Sequence, residues 1–114
     1  MAYPEFAEPG VVPFFDQMMA SGVMNKNVFA FHMSMNPKEE QSELTLGDWD
    51  ESKFSGNLNW YKVVHRRFFS ITLDDVLVNG KSLGFCTSSR NCLVTPDSGT
   101  ALITFPSWAF NMFK

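Results

Sequence analysis

The chain has 114 residues, a formal net charge of −3 and 45% hydrophobic residues, with phenylalanine the most frequent aromatic type. This length allows one domain or part of one, and the apolar composition excludes an intrinsically disordered chain. The short basic run His65-Arg66-Arg67 is too small for a nucleic-acid or anionic-membrane partner, and no apolar run reaches transmembrane length.

The first part of the chain is predicted to hold a connector, a short helix and two strands. Residues 1–10 contain two prolines and end in glycine, so they are interpreted as a connector that is neither helix nor central strand. Pro13 suits the first turn of a helix, which Gly22 would stop. Alternating apolar residues then predict strands at 28–34 and 43–47, with a polar loop between them.

The second part is predicted to be mainly β-structure. Further strands are expected over 57–64 and 68–73. Asn79-Gly80 between two apolar runs is a strong signal for a two-residue hairpin turn. A second helix is expected to open at Pro106. The predicted fold class is therefore all-β, mainly antiparallel, with two short helices.

Two cysteines, Cys86 and Cys92, are separated by five polar residues. This spacing suits a disulfide-closed hairpin loop in an oxidising compartment, with free thiols as the main alternative. Zinc would want a closer cysteine pair and two further ligands, and His32 and His65 are too isolated to supply them. No metal site and no cofactor are expected.

An acidic turn, Asp97-Ser98-Gly99-Thr100, lies between two apolar runs. Gly99 would let the backbone turn sharply, even with positive φ, and would leave no Cβ below a bound molecule. The hydroxyls of Ser98 and Thr100 can donate to the carboxylate, which favours its ionised form and fixes its orientation. The flanking apolar residues are expected to form buried strands that hold the turn rigid: Leu93, Val94, Leu102 and Ile103.

The tripeptide Asp-[Ser/Thr]-Gly is not specific by itself. Average residue frequencies produce it by chance in about one chain in twenty of this length. The plain alternative is a glycine turn with an Asx-type cap and no catalytic role. Its surroundings decide between the two interpretations.

Several segments occur in a fixed order around this turn. They are Met1 to Pro4, Val12 to Asp16, Val28 to Ser34, Glu43 to Gly47, Gly56 to Trp60, Phe68 to Asp74, Cys86 to Cys92 and Asp97 to Thr100. The ordered set resembles the carboxy-terminal lobe of the pepsin and cathepsin D family of aspartic peptidases over nearly the whole chain. By this resemblance, residues 1–12 correspond to the interlobe connector at the end of the first lobe, and 13–114 to a partial second lobe.

The resemblance implies an aspartic-type endopeptidase that works at acid pH through two carboxyls sharing one proton. Asp97 would supply one catalytic carboxyl, Thr100 would hold it, and Ser98 would bond to the partner turn. The substrate-binding residues implied are Gly99, Thr100, Ala101, Thr95 and His32. For His32 and Thr95, an ordinary strand residue is the alternative interpretation.

The second catalytic carboxyl is expected outside these 114 residues. The resemblance implies a first lobe with its own Asp triplet before Met1, and strands completing the second lobe after Lys114. The chain alone is then expected to be inactive, and its parent to cleave peptides in the secretory route: a lysosome, an acidic vacuole or the extracellular space. A catalytically silent, peptide-binding relative is the alternative. A self-sufficient homodimer is disfavoured, because only 17 residues follow Asp97.

Four positions depart from the pattern of this family. Pro96 stands where an apolar residue with a free N–H is usual, so one backbone donor is missing next to the catalytic position. Ala101 replaces a serine whose hydroxyl helps to bind substrate. Phe69 replaces a tryptophan, and Phe105 replaces a small residue before the proline.

Overall fold

The structure is a computed structural model that describes residues 1, 3–86 and 91–111. Its described parts form two compact units. The first unit consists of Met1 and Ala7–Trp60, and the second of Ala2–Phe6 and Tyr61–Lys114. The division of the family lobes at residue 12 stays a prediction.

The first unit contains helix α1, Phe14–Ser21, which confirms the predicted helix after Pro13. Pro13 has a φ of −56° and occupies the N-cap position, where no backbone donor is needed. Gly22 ends the helix in the left-handed region at a φ of 69°, and its N–H donates to the carbonyl of Met19. Glycine adopts this conformation without a Cβ clash, so the sequence stops the helix where predicted.

Strands β1, Phe29–His32, and β2, Glu43–Leu46, pair antiparallel in the first unit. Phe29 lies opposite Leu46 and His32 opposite Glu43, which confirms both predicted strands in shortened form. Phe29 also packs edge-on against Phe15 of α1, with ring centroids 5.1 Å apart. This contact joins the helix to the hairpin.

The second unit contains β3, Ile71–Leu73, which pairs antiparallel with β6, Cys92–Val94. Between them lies a hairpin of β4, Leu77–Val78, and β5, Lys81–Ser82. Asn79 and Gly80 join β4 to β5 with φ values of 49° and 76°. Two positive φ values are what a type I′ turn requires, so the predicted hairpin is confirmed. Helix α2, Ser107–Phe110, begins after Pro106 as predicted.

The prediction of a strand over 57–64 is wrong. The described residues 57–63 have no strand conformation, and the nearest β-pairing is an isolated bridge between His65 and Ser70. Trp60, in the middle of this segment, is 73% exposed. Alternating apolar residues favour a strand, but a strand also needs a hydrogen-bonded neighbour along its length. Within the described residues this segment lies in no β-ladder, although the N–H of Val64, at its end, donates to the carbonyl of Ser70.

Two other expectations about local structure need correction. The connector includes a 3₁₀ turn, Pro4–Phe6, because proline is tolerated where a helical turn needs no N–H donor. The predicted strand over 68–73 begins only at Ile71, since residues 66–69 form a turn. The first error missed a short element, and the second concerns where an element starts, which periodicity defines poorly.

A small aromatic core lies in the second unit. Phe85 is only 4% exposed, and its ring packs edge-on against Phe105 and Trp108 with centroid distances of 5.9 and 5.7 Å. Ala109 of α2 is fully buried. Phe105, a departure from the family pattern, therefore has a packing role, since its ring covers Phe85.

Phe69, a second departure, also has a ring partner. Its centroid lies 4.7 Å from that of Tyr3, within the second unit. Phe6 packs similarly against Phe68 at 5.2 Å. The N-terminal 3₁₀ turn is thus attached to the second unit through aromatic contacts. Neither helix of the described part has the length and apolarity that crossing a bilayer requires.

Candidate active site

The acidic turn begins three residues after β6 ends at Val94. The N–H of Thr100 donates to the backbone carbonyl of Asp97 at 3.3 Å, which closes the turn. The N–H of Gly99 donates to Oδ1 of Asp97 at 2.9 Å, and the hydroxyl of Thr100 donates to Oδ2 at 2.7 Å. Each carboxylate oxygen therefore accepts one hydrogen bond from the turn itself, and the carboxylate orientation is fixed.

Gly99 serves this turn through its missing side chain, not through a left-handed conformation. The glycines with positive φ in the described residues do not include Gly99, so the turn does not use the positive φ that glycine allows. A Cβ on Gly99 would lie 3.3 Å from Oδ1 of Asp97. This is a tight contact, and the glycine therefore lets its own N–H approach the carboxylate.

The two hydrogen bonds lower the pKa of Asp97 below its ordinary value. The hydroxyl of Thr100 is the larger cause and the N–H of Gly99 the smaller one, while partial desolvation opposes them. Both donors stabilise the ionised form, so Asp97 keeps its negative charge to lower pH than a free aspartate. Its chemistry in this state is that of a proton acceptor.

Asp97 lines an open cleft of about 730 Å³ in the second unit. The cleft combines one carboxylate and several hydroxyls with apolar side chains. Its lining residues are Phe68, Leu93, Val94, Thr95, Asp97, Thr100, Ala101, Leu102, Ile103 and Thr104. A carboxylate beside an apolar groove can bind an extended peptide and reach its backbone.

The expectation that buried strands flank the turn is wrong. Leu93 and Val94 are exposed although they belong to β6, and Leu102 and Ile103 are 79% and 87% exposed outside any strand. These side chains line the open cleft instead of packing between two layers. Asp97 is itself exposed and lines that cleft instead of lying within a core.

Most of the predicted site residues lie together in the second unit. Thr95, Asp97, Thr100 and Ala101 all line the cleft. Gly99 bonds to the carboxylate, and Ser98 is exposed at the tip of the turn. The catalytic and substrate-binding roles of these residues stay predictions.

His32 lies in β1 of the first unit. Its Nε2 is 3.3 Å from Oε1 of Glu40, and the same oxygen accepts a hydrogen bond from Nζ of Lys53 at 2.7 Å. Lys53 first and His32 second lower the pKa of Glu40. Nε2 of His32 is buried beside Glu40 but makes no hydrogen bond with the described residues. The predicted place of His32 at a substrate pocket stays a prediction.

Sequence analysis did not single out Ser70, which the structure places beneath the site. Ser70 is 5% exposed, and its Oγ lies 2.8 Å from Oγ1 of Thr95, two residues before Asp97. The sequence signal that could have found Ser70 was the expected pairing of the strand that follows it, β3, with β6. Once Ile71 is opposite Val94, antiparallel register puts Ser70 opposite Thr95.

The predicted disulfide between Cys86 and Cys92 is confirmed, with a Cα–Cα distance of 5.5 Å. Cys92 is the first residue of β6, so the bridge is attached to the strand that leads to Asp97. The tip of the predicted loop, residues 87–90, lies outside the described residues. The cross-link restrains the start of β6.

Comparison with known proteins shows the family of this chain. A family model described as eukaryotic aspartyl protease matches residues 1–113. The chain belongs to the eukaryotic aspartyl protease family.

Individual members of this aspartyl protease family are similar to the chain along most of its length. Cathepsin E of Cavia porcellus is 44% identical over 106 residues, which cover 93% of this chain and 26% of that protein. Cathepsin E of Oryctolagus cuniculus is 43% identical over 108 residues, and cathepsin D of Chionodraco hamatus 39% over 108 residues. The chain therefore spans about a quarter of the length of these relatives.

Proposed function

We propose that this chain supplies one half of the catalytic centre of an acid endopeptidase, with Asp97 as one of two catalytic carboxyls. The observation that carries the proposal is the Asp97 carboxylate, held through both oxygens by its own turn and lining an open cleft. Family membership supports the reaction class. The second carboxyl comes from polypeptide outside these 114 residues.

The proposed reaction is attack of a water molecule on a peptide carbonyl. Because its hydrogen bonds favour the ionised form, Asp97 accepts a proton from the water as the water oxygen bonds to the carbonyl carbon. The second carboxyl, in its protonated form, donates to the carbonyl oxygen. The resulting diol then collapses: Asp97 gives its proton to the nitrogen, the second carboxylate takes a proton back from one diol hydroxyl, and the C–N bond breaks to leave a carboxylic acid and an amine. Two carboxyls close together share one proton, which confines this chemistry to acid pH.

The substrate proposed for the whole enzyme is a peptide with bulky apolar residues at the cleavage site. The cleft beside Asp97 is lined by exposed apolar side chains, including Leu93, Leu102 and Ile103. Such side chains gain free energy by covering an apolar substrate residue. Thr100 holds the carboxylate, Gly99, Thr95 and Ala101 contact the peptide, and Ser98 bonds to the partner turn.

The remaining proposals concern the parent protein. Residues 13–114 are part of a second lobe, which needs a first lobe carrying the other catalytic aspartate. The disulfide supports an oxidising route, so we place the parent in a lysosome, an acidic vacuole or the extracellular space. The 114-residue chain alone is proposed to be inactive.

The test is a chimera in which this chain replaces the matching segment of Cavia porcellus cathepsin E. We expect cleavage of an apolar peptide at acid pH, inhibition by a statine-type transition-state mimic, and a loss on the order of 10³-fold in kcat for Asp97→Asn. Asp74→Asn is the matched control, since Asp74 is an exposed carboxylate of the same unit, outside the cleft lining. It should keep full activity.

A folded chimera without turnover would overturn the proposal. If such a chimera still binds the transition-state mimic, the chain is a peptide-binding relative without catalysis. Turnover that survives Asp97→Asn would show that another group does the chemistry. Peptide cleavage by residues 1–114 alone would contradict the need for a second carboxyl.

A further inference from the structure

A hydroxyl pair connects the acidic turn to the neighbouring strand. Oγ of Ser70 and Oγ1 of Thr95 are 2.8 Å apart, and either can be the donor. Ser70 is 5% exposed, so this contact is largely shielded from water at one end. A buried hydroxyl without a partner is costly, and Thr95 satisfies it.

The position of this pair follows from the register of β3 and β6. Ile71 lies opposite Val94, so Ser70 is opposite Thr95 one step beyond the paired strands. The backbone N–H of Ser70 donates to His65, and its carbonyl accepts from the N–H of Val64. Its backbone groups therefore face away from β6, and Ser70 and Thr95 form a non-hydrogen-bonded pair, in which opposing side chains approach most closely.

Pro96 explains why side chains, and not backbone groups, connect the two strands beyond Val94. In an antiparallel ladder, the step after a non-hydrogen-bonded pair would again use backbone donors from both strands. On β6 that step falls at Pro96, which has no N–H to donate. The ladder therefore ends at Val94, and the Ser70–Thr95 bond continues the connection between the strands as far as the residue before Pro96.

The bonds within the turn have a different effect. Gly99 and Thr100 fix the Asp97 carboxylate relative to the turn, because all three residues belong to it. They do not fix the turn relative to the sheet. The Ser70–Thr95 bond does, since it joins the residue directly before β3 to the chain directly before the turn.

We propose that Ser70 is a positioning residue for catalysis, holding the Asp97 turn in place against the sheet through its hydrogen bond with Thr95. This inference rests on the proposed peptidase function for its catalytic consequence. Its geometric part, attachment of the turn to β3, stands on the structure alone.

The geometric part is tested by NMR of the full 114-residue chain. We expect Ser70→Ala and Thr95→Val to shift and broaden the amide signals of Gly99 and Thr100, while contacts between Ile71 and Val94 persist. The titration of Asp97 should stay as in the unaltered chain, because its own donors are intact. Thr95→Ser, which keeps the hydroxyl, should restore the amide signals.

A matched control is Thr72→Val. Thr72 is an exposed β3 residue opposite Leu93, so the change removes a hydroxyl from the same sheet but not from the pair. It should leave the turn signals unchanged. The double variant Ser70→Ala with Thr95→Val should be no more perturbed than either single variant, because both remove the same bond.

The catalytic part is tested in the cathepsin E chimera. Ser70→Ala should lower kcat about tenfold with KM little changed. Thr95→Val should lower kcat by a similar factor and also raise KM, because the proposed function has Thr95 contact the peptide. Thr95→Ser should retain most of the activity. An unchanged kcat in an active chimera would overturn the positioning role. If the unaltered chimera is inactive, the proposed function fails, and the NMR experiment still decides whether the bond holds the turn. Unchanged turn signals in Ser70→Ala would refute that geometry.

Discussion

The two hydroxyls of the acidic turn differ in what they do. Ser98 and Thr100 lie one and three residues after Asp97, and the predicted hydrogen bonding to the carboxylate is observed for Thr100. Ser98 is exposed at the tip, which is compatible with its proposed bond to a partner turn. Residue types and spacing thus indicate a held carboxylate, but which hydroxyl holds it depends on backbone geometry.

Thr100→Val is predicted to raise the pKa of Asp97. Valine keeps the shape of threonine but removes the donor that contributes most to lowering this pKa. A group with a lowered native pKa stabilises the fold above its unfolded pKa, and this contribution disappears as the pH falls through the native pKa. Removing the donor therefore weakens the contribution at neutral pH and shifts the titration upward. NMR of a ¹³C-labelled Asp97 carboxyl measures the shift.

Thr104→Val is the control for this titration. Thr104 lines the same cleft, and the donors to the Asp97 carboxylate are Gly99 and Thr100. Its replacement should leave the midpoint in place. An unaltered midpoint in Thr100→Val would mean that the hydroxyl does not stabilise the carboxylate.

At the level of elements, strong local signals predicted the structure well, whereas periodicity alone was right for β1 and β2 and wrong over 57–64. Proline opened both helices, and Asn79-Gly80 formed the hairpin turn, because each of these residues restricts its own backbone. The strand expected over 57–64 relied on alternation, which says which face would be buried but supplies no partner strand. The Ser70–Thr95 pair was missed for a related reason, since it depends on register between distant segments.

The conformation of Gly80 in the hairpin turn predicts the effect of replacing this residue. Gly80→Ala should increase amide hydrogen exchange at Leu83 about fivefold, because alanine at a φ of 76° costs roughly 1 kcal/mol. The N–H of Leu83 donates to the carbonyl of Val76 and reports on closure of the hairpin. Gly80→Asn should have a smaller effect, since asparagine tolerates the left-handed region. Equal amide exchange rates at Leu83 in Gly80→Ala and the unaltered chain would show that the Asn79-Gly80 turn does not stabilise the β4–β5 hairpin.

A substitution in the aromatic core is predicted to change the free energy of unfolding more than Gly80→Ala does. Phe85→Ala removes the ring packed between Phe105 and Trp108 and should destabilise the second unit by about 3–5 kcal/mol. Phe110→Ala is the matched control, because Phe110 is exposed on α2 and should cost well under half as much. Urea unfolding followed by tryptophan fluorescence compares them. Similar losses in the two variants would show that Phe85 does not anchor the core.

On the scale of the whole molecule, exposed large apolar side chains far outnumber buried ones among the described residues. Many large apolar residues are exposed, while only Phe85 and Ala109 are the buried apolar residues in the described part. Contiguous exposed apolar surface in a folded chain indicates an interaction surface. The cleft beside Asp97 is such a surface, and under the proposed function a substrate and the rest of the enzyme cover it.

The cleft is predicted to bind the aromatic rings of an amphiphilic dye. Leu102 and Ile103 are the most exposed large apolar residues of the cleft lining. Replacing both with serine should weaken binding of anilinonaphthalene sulfonate about tenfold. This factor corresponds to a loss of roughly 1.4 kcal/mol of apolar contact between dye and cleft. Val11→Ser with Val12→Ser is the control, because this adjacent exposed pair belongs to the first unit and not to the cleft. It should change binding little. Fluorescence titration, with circular dichroism to verify folding, measures both, and equal weakening by the two pairs would show that the dye does not select the cleft.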